Sequence, residues 1–398
     1  MSENVATPEA PAAPAQQATT APKVVSPDLN FVNDVIKAGG ESLKKCYQCA
    51  TCTVVCNVTP DDNPFPRKEM VQAQWGLKDD LFRNPDIWLC HQCSDCTAHC
   101  PRGAKPGEVL GAIRQMSIVK HSKPGFMAKL ASSPAGLAPL LAIPAVIFLI
   151  MMKLAGSIPL SAIPLAEGKI SFTNMLFPMK FVDPPMIAAF TFGAVMLVLG
   201  IISYWKDMSK AAKPQGSLIS GIIGTVKDVL AHNKFSQCNV ASGRKLAHML
   251  VFYSFIILAV TTTLAAIQEW APVLLGEAAA VKVEHALHFP MKVLGNIGAV
   301  ALLGGIILVI LNRMATASKA GIGSYYDWLF IGVVVAVGAT GFLAQMIRLA
   351  GMANLAYTTY FVHLVLVFFL FAYAPYTKMA HMLYRGTAMV FSRMTGRG

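Results

Sequence analysis

Residues 46–56 read CYQCATCTVVC and residues 90–101 read CHQCSDCTAHCP. Eight of the chain's nine cysteines lie in these stretches, at one repeated spacing, C-x2-C-x2-C-x3-C. That run holds cubane iron–sulfur clusters of the bacterial ferredoxin kind. A cube needs four thiolates converging on its iron corners. Two-residue gaps wrap three sulfurs around one cube, and the fourth cysteine is expected to start a helix and point away to the other cube. On that rule one cluster takes Cys46, Cys49, Cys52 and Cys100, and the other takes Cys90, Cys93, Cys96 and Cys56. Crossed ligation would staple residues 57–89 into a compact unit with little core of its own.

Rival chemistries fit less well. Disulfides belong to oxidising compartments, and nothing in residues 1–130 reads as an export signal. Zinc uses C-x2-C pairs, but two complete sets of four at matched spacing exceed a zinc site's needs. Asn57 follows Cys56 where Pro101 follows Cys100, a departure that removes no ligand. Cys238, alone in a polar loop, reads as a structural thiol.

The 398 residues are 55% hydrophobic and 14% charged, against about 25% charged in soluble domains. Mean hydropathy is +0.52. A membrane protein is expected, and the net charge of +12 then reflects basic loops on the cytoplasmic face. No basic stripe with interleaved aromatics points to nucleic acid. Residues 1–28, rich in Ala, Pro, Thr and Gln, read as a disordered tail and not a secretory signal.

Residues 29–130 read as a soluble, all-helical two-cluster domain. Helices are expected around Phe31–Ile36, from Phe65-Pro66-Arg67, and over Glu108–Lys120, with Ile87-Trp88-Leu89 as an apolar wall against the second motif. Residues 131–398 read as a membrane domain. Six apolar stretches, at roughly 135–152, 185–205, 246–267, 290–311, 328–349 and 356–384, approach the ~20 residues that span a bilayer. Pro375 is expected to kink the last. The loop 206–245 and the segment before the first span are rich in Lys and Arg, whereas 268–289 holds only Lys282 among them. The positive-inside rule places the N-terminus, clusters and C-terminus in the cytoplasm. The fold class expected is therefore all-α: a helical ferredoxin-like domain fused to a six-span bundle in the cytoplasmic membrane.

Ligating side chains within spans are functional candidates. His363 and His381 are 18 residues apart, which in one helix is five turns, one face and roughly 27 Å. That suits two stacked haems b. Depth pairs His381 with His248 at the inner surface and His363 with His288 at the outer, with His285 able to replace His288. His91 and His99, inside the second motif, are expected to tune its cluster. His121 and His232 are given no role. Quinol oxidation beside a haem needs a proton acceptor at the membrane edge. Glu284, Lys292, Arg348 and Tyr357 are outer candidates, and Tyr376 and Lys378 inner ones. No G-x-G-x-x-G fingerprint and no acid–base or nucleophile constellation is present.

The cysteine motifs resemble those of the small iron–sulfur subunit of heterodisulfide reductases. The spans, with His363 and His381 late in the chain, resemble the cytochrome b subunits of respiratory nitrate reductases and of heterodisulfide reductases. The fusion is similar to the QmoC-type family, the fused membrane components of quinone-interacting membrane-bound oxidoreductase (Qmo) complexes. That resemblance covers about residues 30–385. It implies two [4Fe–4S] clusters, two haems b, and menaquinone or menaquinol as substrate. It also implies two cytoplasmic flavin and iron–sulfur partner subunits and a link to adenylylsulfate reductase in sulfate respiration. Where the nitrate reductase pattern has a second histidine ten residues along an early span, this chain has Leu258 after His248. The alternatives are the membrane subunit of a heterodisulfide reductase-type complex, or a membrane anchor without redox chemistry.

Overall fold

The computed structural model describes residues 25–397 except 161–162, 164–169, 173–177, 233–234, 236, 238–239 and 241–242. Cys238 and nearly all of the expected N-terminal tail lie outside the described residues. Every regular element among the described residues is helical.

The N-terminal unit is built from seven short helices. α1 (Leu29–Lys37) starts where Asp28 Oδ1 accepts the Phe31 N–H at 3.0 Å, satisfying an orphan donor of the first turn. α2 (Thr51–Val54) and α6 (Asp95–Ala98) are single turns inside the two cysteine motifs. Between them lie α3 (Arg67–Gln74), α4 (Lys78–Phe82) and α5 (Asp86–Leu89). α7 (Pro106–His121) opens with proline at its first position, where a missing N–H costs nothing, and buries Val109, Leu110, Ile113 and Ile118. The expectation of little core between the motifs fails. Phe65, Met70, Leu81, Phe82, Ile87 and Trp88 are each at most 2% exposed, because α3, α4 and α5 turn their apolar residues inward onto α1 and α7.

α8 (Gly125–Ala131) leads into the apolar bundle. Its members are α9 (Leu137–Ala155), α10 (Met179–Ala211), the shorter amphipathic α11 (Leu218–Ala231), α12 (Arg244–Leu275), α13 (Glu277–Ala315), the turn α14 (Ala317–Ala320), α15 (Tyr325–Leu349) and α16 (Ala353–Ala372). Six of them, α9, α10, α12, α13, α15 and α16, are long and apolar enough to cross a membrane. The segment 268–289, expected as a loop, is helical apart from Gly276. That residue joins α12 directly to α13 at φ 82, a conformation glycine adopts without steric cost.

The sixth span is the main departure. It ends at Ala372; Ala374–Tyr376 and Lys378–Ala380 are 3-10 turns, and α17 (His381–Met394) is a separate helix. Pro375 removes an N–H and its ring crowds the preceding turn, so the expected kink is a full break. His363 and His381 therefore do not share one helix face. His363 sits ten residues after Ala353 and nine before Ala372, mid-helix and not near the outer end.

α17 folds back onto α5, α10 and α11. Tyr384, Ala388 and Phe391 join Tyr204 and Met208 of α10 in the same core as the N-terminal unit. Trp88 stacks on Tyr384 with ring centroids 5.3 Å apart and meets Tyr204 edge-on at 6.5 Å. His121, almost wholly buried, places Nε2 3.2 Å from Asp207 of α10, and Lys120 Nζ lies 3.0 Å from the same carboxylate. The cysteine-bearing unit is thus packed onto one end of the bundle through a continuous apolar core.

Candidate functional site

The two cysteine motifs have one backbone. Gln48 and Ala50 in the first, and Gln92 and Ser94 in the second, are all left-handed, with φ 61, 69, 51 and 71. The Gln48 N–H approaches Cys46 Sγ at 3.4 Å and the Gln92 N–H approaches Cys90 Sγ at 3.3 Å. Alternating right- and left-handed residues turn successive N–H groups inward into a concavity suited to anionic clusters. Four non-glycine residues held at positive φ are a cost that recurs at matched positions, as a shared ligand geometry requires. The third cysteine of each motif lies inside its one-turn helix, and the fourth follows that helix's C-terminal cap. This corrects the expectation that the fourth cysteine starts a helix: it leaves one.

Cys56 does not stay with its own motif. It lines one pocket with Cys90, Cys93 and Cys96, closed by Val58, Phe65 and Pro66. Burial pushes the Cys56 thiol up to about 12, with Cys90 and Cys93 adding repulsion. Burial also raises Cys96, next to Cys90, Cys93 and Cys56. Cys52 is raised to about 11 by burial and by Cys46, whereas Cys49, exposed, is lowered by the Thr51 hydroxyl. Among the described residues no three His, Cys, Asp or Glu side chains close around a single metal ion; a cube sets its thiolates further apart. All eight motif cysteines are free thiols. The residues fit two cubane clusters.

The second motif faces the bundle and the first faces outward. Cys90 and Cys96 are each 8% exposed, whereas Tyr47 and Val54 beside the first motif are 68% and 82% exposed. The connector between α11 and α12 touches the second motif repeatedly. Val240 N–H donates to Asp95 Oδ1 at 2.8 Å, Asn57 Nδ2 donates to Gln237 O at 2.8 Å, and Arg244 donates to Gln92 O. Arg385 of α17 donates to His91 Nε2. Arg114 of α7 donates to Cys90 O at 3.3 Å and reaches its Sγ at 3.9 Å. His91 therefore does contact its surroundings as a tuning residue would, while His99 Nδ1 bonds to its own helix at Asp95 O, 2.9 Å away.

Three of the four histidines singled out by spacing and depth have a fixed ring orientation. His248 Nδ1 lies 3.0 Å from His232 Nε2. His381 Nδ1 donates to Lys378 O. His363 Nδ1 lies 3.1 Å from Thr340 Oγ1, whose single proton goes to Ala336 O at 2.6 Å, so the imidazole is the donor. Gly341 makes room for that ring; a Cβ there would be 2.8 Å from His363 Cε1. Each imidazole thus spends Nδ1–H on the protein and keeps Nε2 as the lone-pair nitrogen, the arrangement of a metal-bound histidine. His381 acts electrostatically on His248, as do Arg244 and Arg385. The helix break brings His381 back to His248, so that pair fits an axial ligand set.

The other expected pair is not brought together. His288 and His285 are exposed on α13, which packs on α12 and α15, whereas α16 packs on α15, α10 and α9. Among the quinone candidates, Glu284 and Lys292 are exposed on α13. Tyr376 Oη donates to Lys123 O at 2.6 Å, and Lys378 is paired with Asp327, so both hold the fold together. Arg348 and Tyr357 converge on one ring: Phe172 lies 5.9 Å from the Arg348 guanidinium carbon and 6.2 Å from the Tyr357 ring. Sequence reasoning missed His232, Phe235, Arg114 and Arg385. None carries a spacing signal, and only folding puts them beside a candidate ligand.

Residues 42–104 match the family model of the 4Fe-4S dicluster domain. This segment is a 4Fe-4S dicluster domain. Its relatives include the C-type iron–sulfur component of the H(2):CoB-CoM heterodisulfide,ferredoxin reductase of Methanothermobacter marburgensis, 35% identical over 102 residues, which are 25% of this chain and 52% of that one. The C2-type component of the H(2)/formate:CoB-CoM heterodisulfide,ferredoxin reductase of Methanococcus maripaludis is 40% identical over 107 residues, 25% of this chain and 55% of that one. A protein of Archaeoglobus profundus similar to the C-type component of heterodisulfide reductase is 36% identical over 93 residues, 23% and 50% of the two chains. The chain spans about half the length of the curated relatives it matches, and the similarity lies in its N-terminal quarter. No solved structure matches. The dicluster domain is thus related to iron–sulfur subunits of oxidoreductase complexes, and here it precedes six long apolar helices.

Proposed function

We propose that this chain is the membrane electron-transfer subunit of a quinone-dependent oxidoreductase complex, of the QmoC kind. It moves electrons between menaquinol and cytoplasmic flavin and iron–sulfur partner subunits, in a pathway linked to adenylylsulfate reductase. The dicluster domain and C-terminus face the cytoplasm, consistent with six crossings and with α17 packed on that domain. The carrying observation is the run of rings from the bundle to the second motif: His248 to Phe235 at 4.8 Å, and Phe235 to His91 at 5.1 Å, one residue from Cys90.

Haem b, when bound, supplies a one-electron carrier inside the bilayer. His248 and His381 offer it two Nε2 atoms, with Arg244 and Arg385 supplying positive charge nearby. A second haem rests on His363 alone, since His288 faces away. Cys90, Cys93, Cys96 and Cys56 hold the bundle-side cluster. Cys46, Cys49, Cys52 and Cys100 hold the outward one, where a partner can dock. Arg348 and Tyr357, together on Phe172, are the quinone-site residues this reading favours.

A reduced-minus-oxidised spectrum of the purified protein tests the reading. Haem b absorption that a menaquinol analogue develops, followed by cluster reduction, is expected; a protein with cluster iron and no haem band overturns it. The relatives' names favour a second reading, the membrane subunit of a heterodisulfide reductase-type complex. Isolation of the complex with a disulfide-reducing partner, and no reduction by quinol, would decide for that.

A further inference from the structure

The residue at the hydrogen-bonded back of His248 is the most constrained of the described histidines. His232 caps α11 in a left-handed conformation, φ 51, and is 3% exposed. Such a conformation is uncommon outside glycine and is kept where the surroundings impose it. Its Nδ1 donates to Leu230 O at 3.1 Å. That contact fixes the tautomer: Nδ1 holds the proton and Nε2 can only accept. Nε2 is 3.0 Å from His248 Nδ1. His248 must then carry its proton on Nδ1 and present Nε2 elsewhere. Rings of Phe235, Phe252 and Tyr253 surround His232 at 5.5, 5.1 and 6.0 Å, and Tyr253 Oη donates to the same Leu230 carbonyl at 2.7 Å. The pair is therefore walled by apolar rings and braced from both sides.

We propose that His232 is the positioning residue of an iron-binding His248: a neutral imidazole that accepts the ligand's Nδ1–H, fixes its tautomer and ring plane, and sets its basicity. This rests on the reading of His248 and His381 as haem ligands. Metal-bound histidines ordinarily give their second N–H to a carboxylate, carbonyl or water, and that acceptor raises ligand basicity. A neutral imidazole acceptor does the same more weakly than a carboxylate. Removing it leaves a less basic ligand and an iron easier to reduce; a carboxylate in its place does the opposite.

The test is an equilibrium redox titration of the haem absorption, with low-spin ferric haem and cluster EPR, on the purified full chain and on His232→Leu, His232→Gln and His232→Glu. For His232→Leu we expect the ferrous-to-ferric ratio of one haem to rise about tenfold at fixed poise, 59 mV for one electron, with a changed EPR signature and cluster signals unmoved. His232→Gln keeps an acceptor and should stay near the parent. His232→Glu should shift the same haem in the opposite direction. Loss of that haem in His232→Leu but not in His232→Gln also supports the proposal. If Leu and Glu variants bind haem with the parent's potential and EPR, or both move it the same way, His232 does not position the ligand. A Leu variant that also loses its clusters has unfolded, and the Gln and Glu pair then decides. A parent with no haem b at all removes the underlying reading instead, a result visible before any variant is made.

Discussion

Cys56 is the residue that separates crossed from self-contained ligation. It lines the pocket of the second motif, so Cys56→Ser should destroy the bundle-side cluster and spare the outward one. Cluster EPR of the reduced protein and an iron content near half the parent's would record this; loss of the outward cluster instead would show that each motif serves itself. Glu69 is a second residue with a measurable signature. Its side chain is fully buried, with Asn84 Nδ2 2.8 Å and Lys68 Nζ 3.4 Å from Oε1. Burial pushes its carboxyl from 4.5 up to about 7, against the pull of Lys68. A raised carboxyl favours the fold while protonated, so its contribution is full below about pH 4.5 and is lost as pH rises through about 7. The difference is worth about 3 kcal/mol. Melting of the dicluster domain, followed from pH 5 to 8, should show this loss, and Glu69→Gln should flatten it. An unchanged slope in the Gln variant would assign the dependence to other groups.

At the scale of elements, the break after Ala372 decides where His381 goes, and one carboxylate holds that break in place. Asp327, at the start of α15, caps its own helix with Ser324 and pairs with Lys378 in the turn before α17, while Arg313 Nη2 of α13 lies 3.6 Å away. Asp327 is 8% exposed. Removing one partner of such a buried pair typically costs about 3–5 kcal/mol because the other charge is left uncompensated. Asp327→Ala should therefore lower the melting temperature and weaken the haem signal assigned to His248 and His381, while both clusters remain. Retention of parent-like haem binding would mean α17 is positioned by its packing on α5 and α10 alone. The α12–α13 hairpin shows the reverse case: Gly276 lets two long helices turn back with no loop, so residues that hydropathy left as a linker are helical and carry His285 and His288 on an exposed face.

For the whole molecule, the junction between the dicluster domain and the bundle is an aromatic core, with Trp88 between Tyr384 and Tyr204. Truncating a buried tryptophan costs about 3–5 kcal/mol. Trp88→Ala should loosen the domain from the bundle, slowing cluster reduction by quinol while haem reduction and total iron stay close to the parent. An undiminished rate would place the electron path away from this junction. The two cysteine motifs were legible in the sequence because cluster ligation fixes spacing along the chain, and the six apolar helices were legible because a bilayer fixes length and composition. His248 and His381 were legible as candidates by depth, although the one-helix geometry that linked His381 to His363 does not exist. Cys56 reaching into the other motif follows from spacing; its companions His91, Phe235 and Arg385 do not, since they are distant in sequence and meet only where α17 and the connector fold onto the second motif. Local patterns answer to ligand reach and to solvent, and the sequence alone determined those. Which histidines face each other, which cluster site lies against the bundle, and what stands behind each ligand depend on long-range packing around Pro375 and Trp88, and only the tertiary structure decided them.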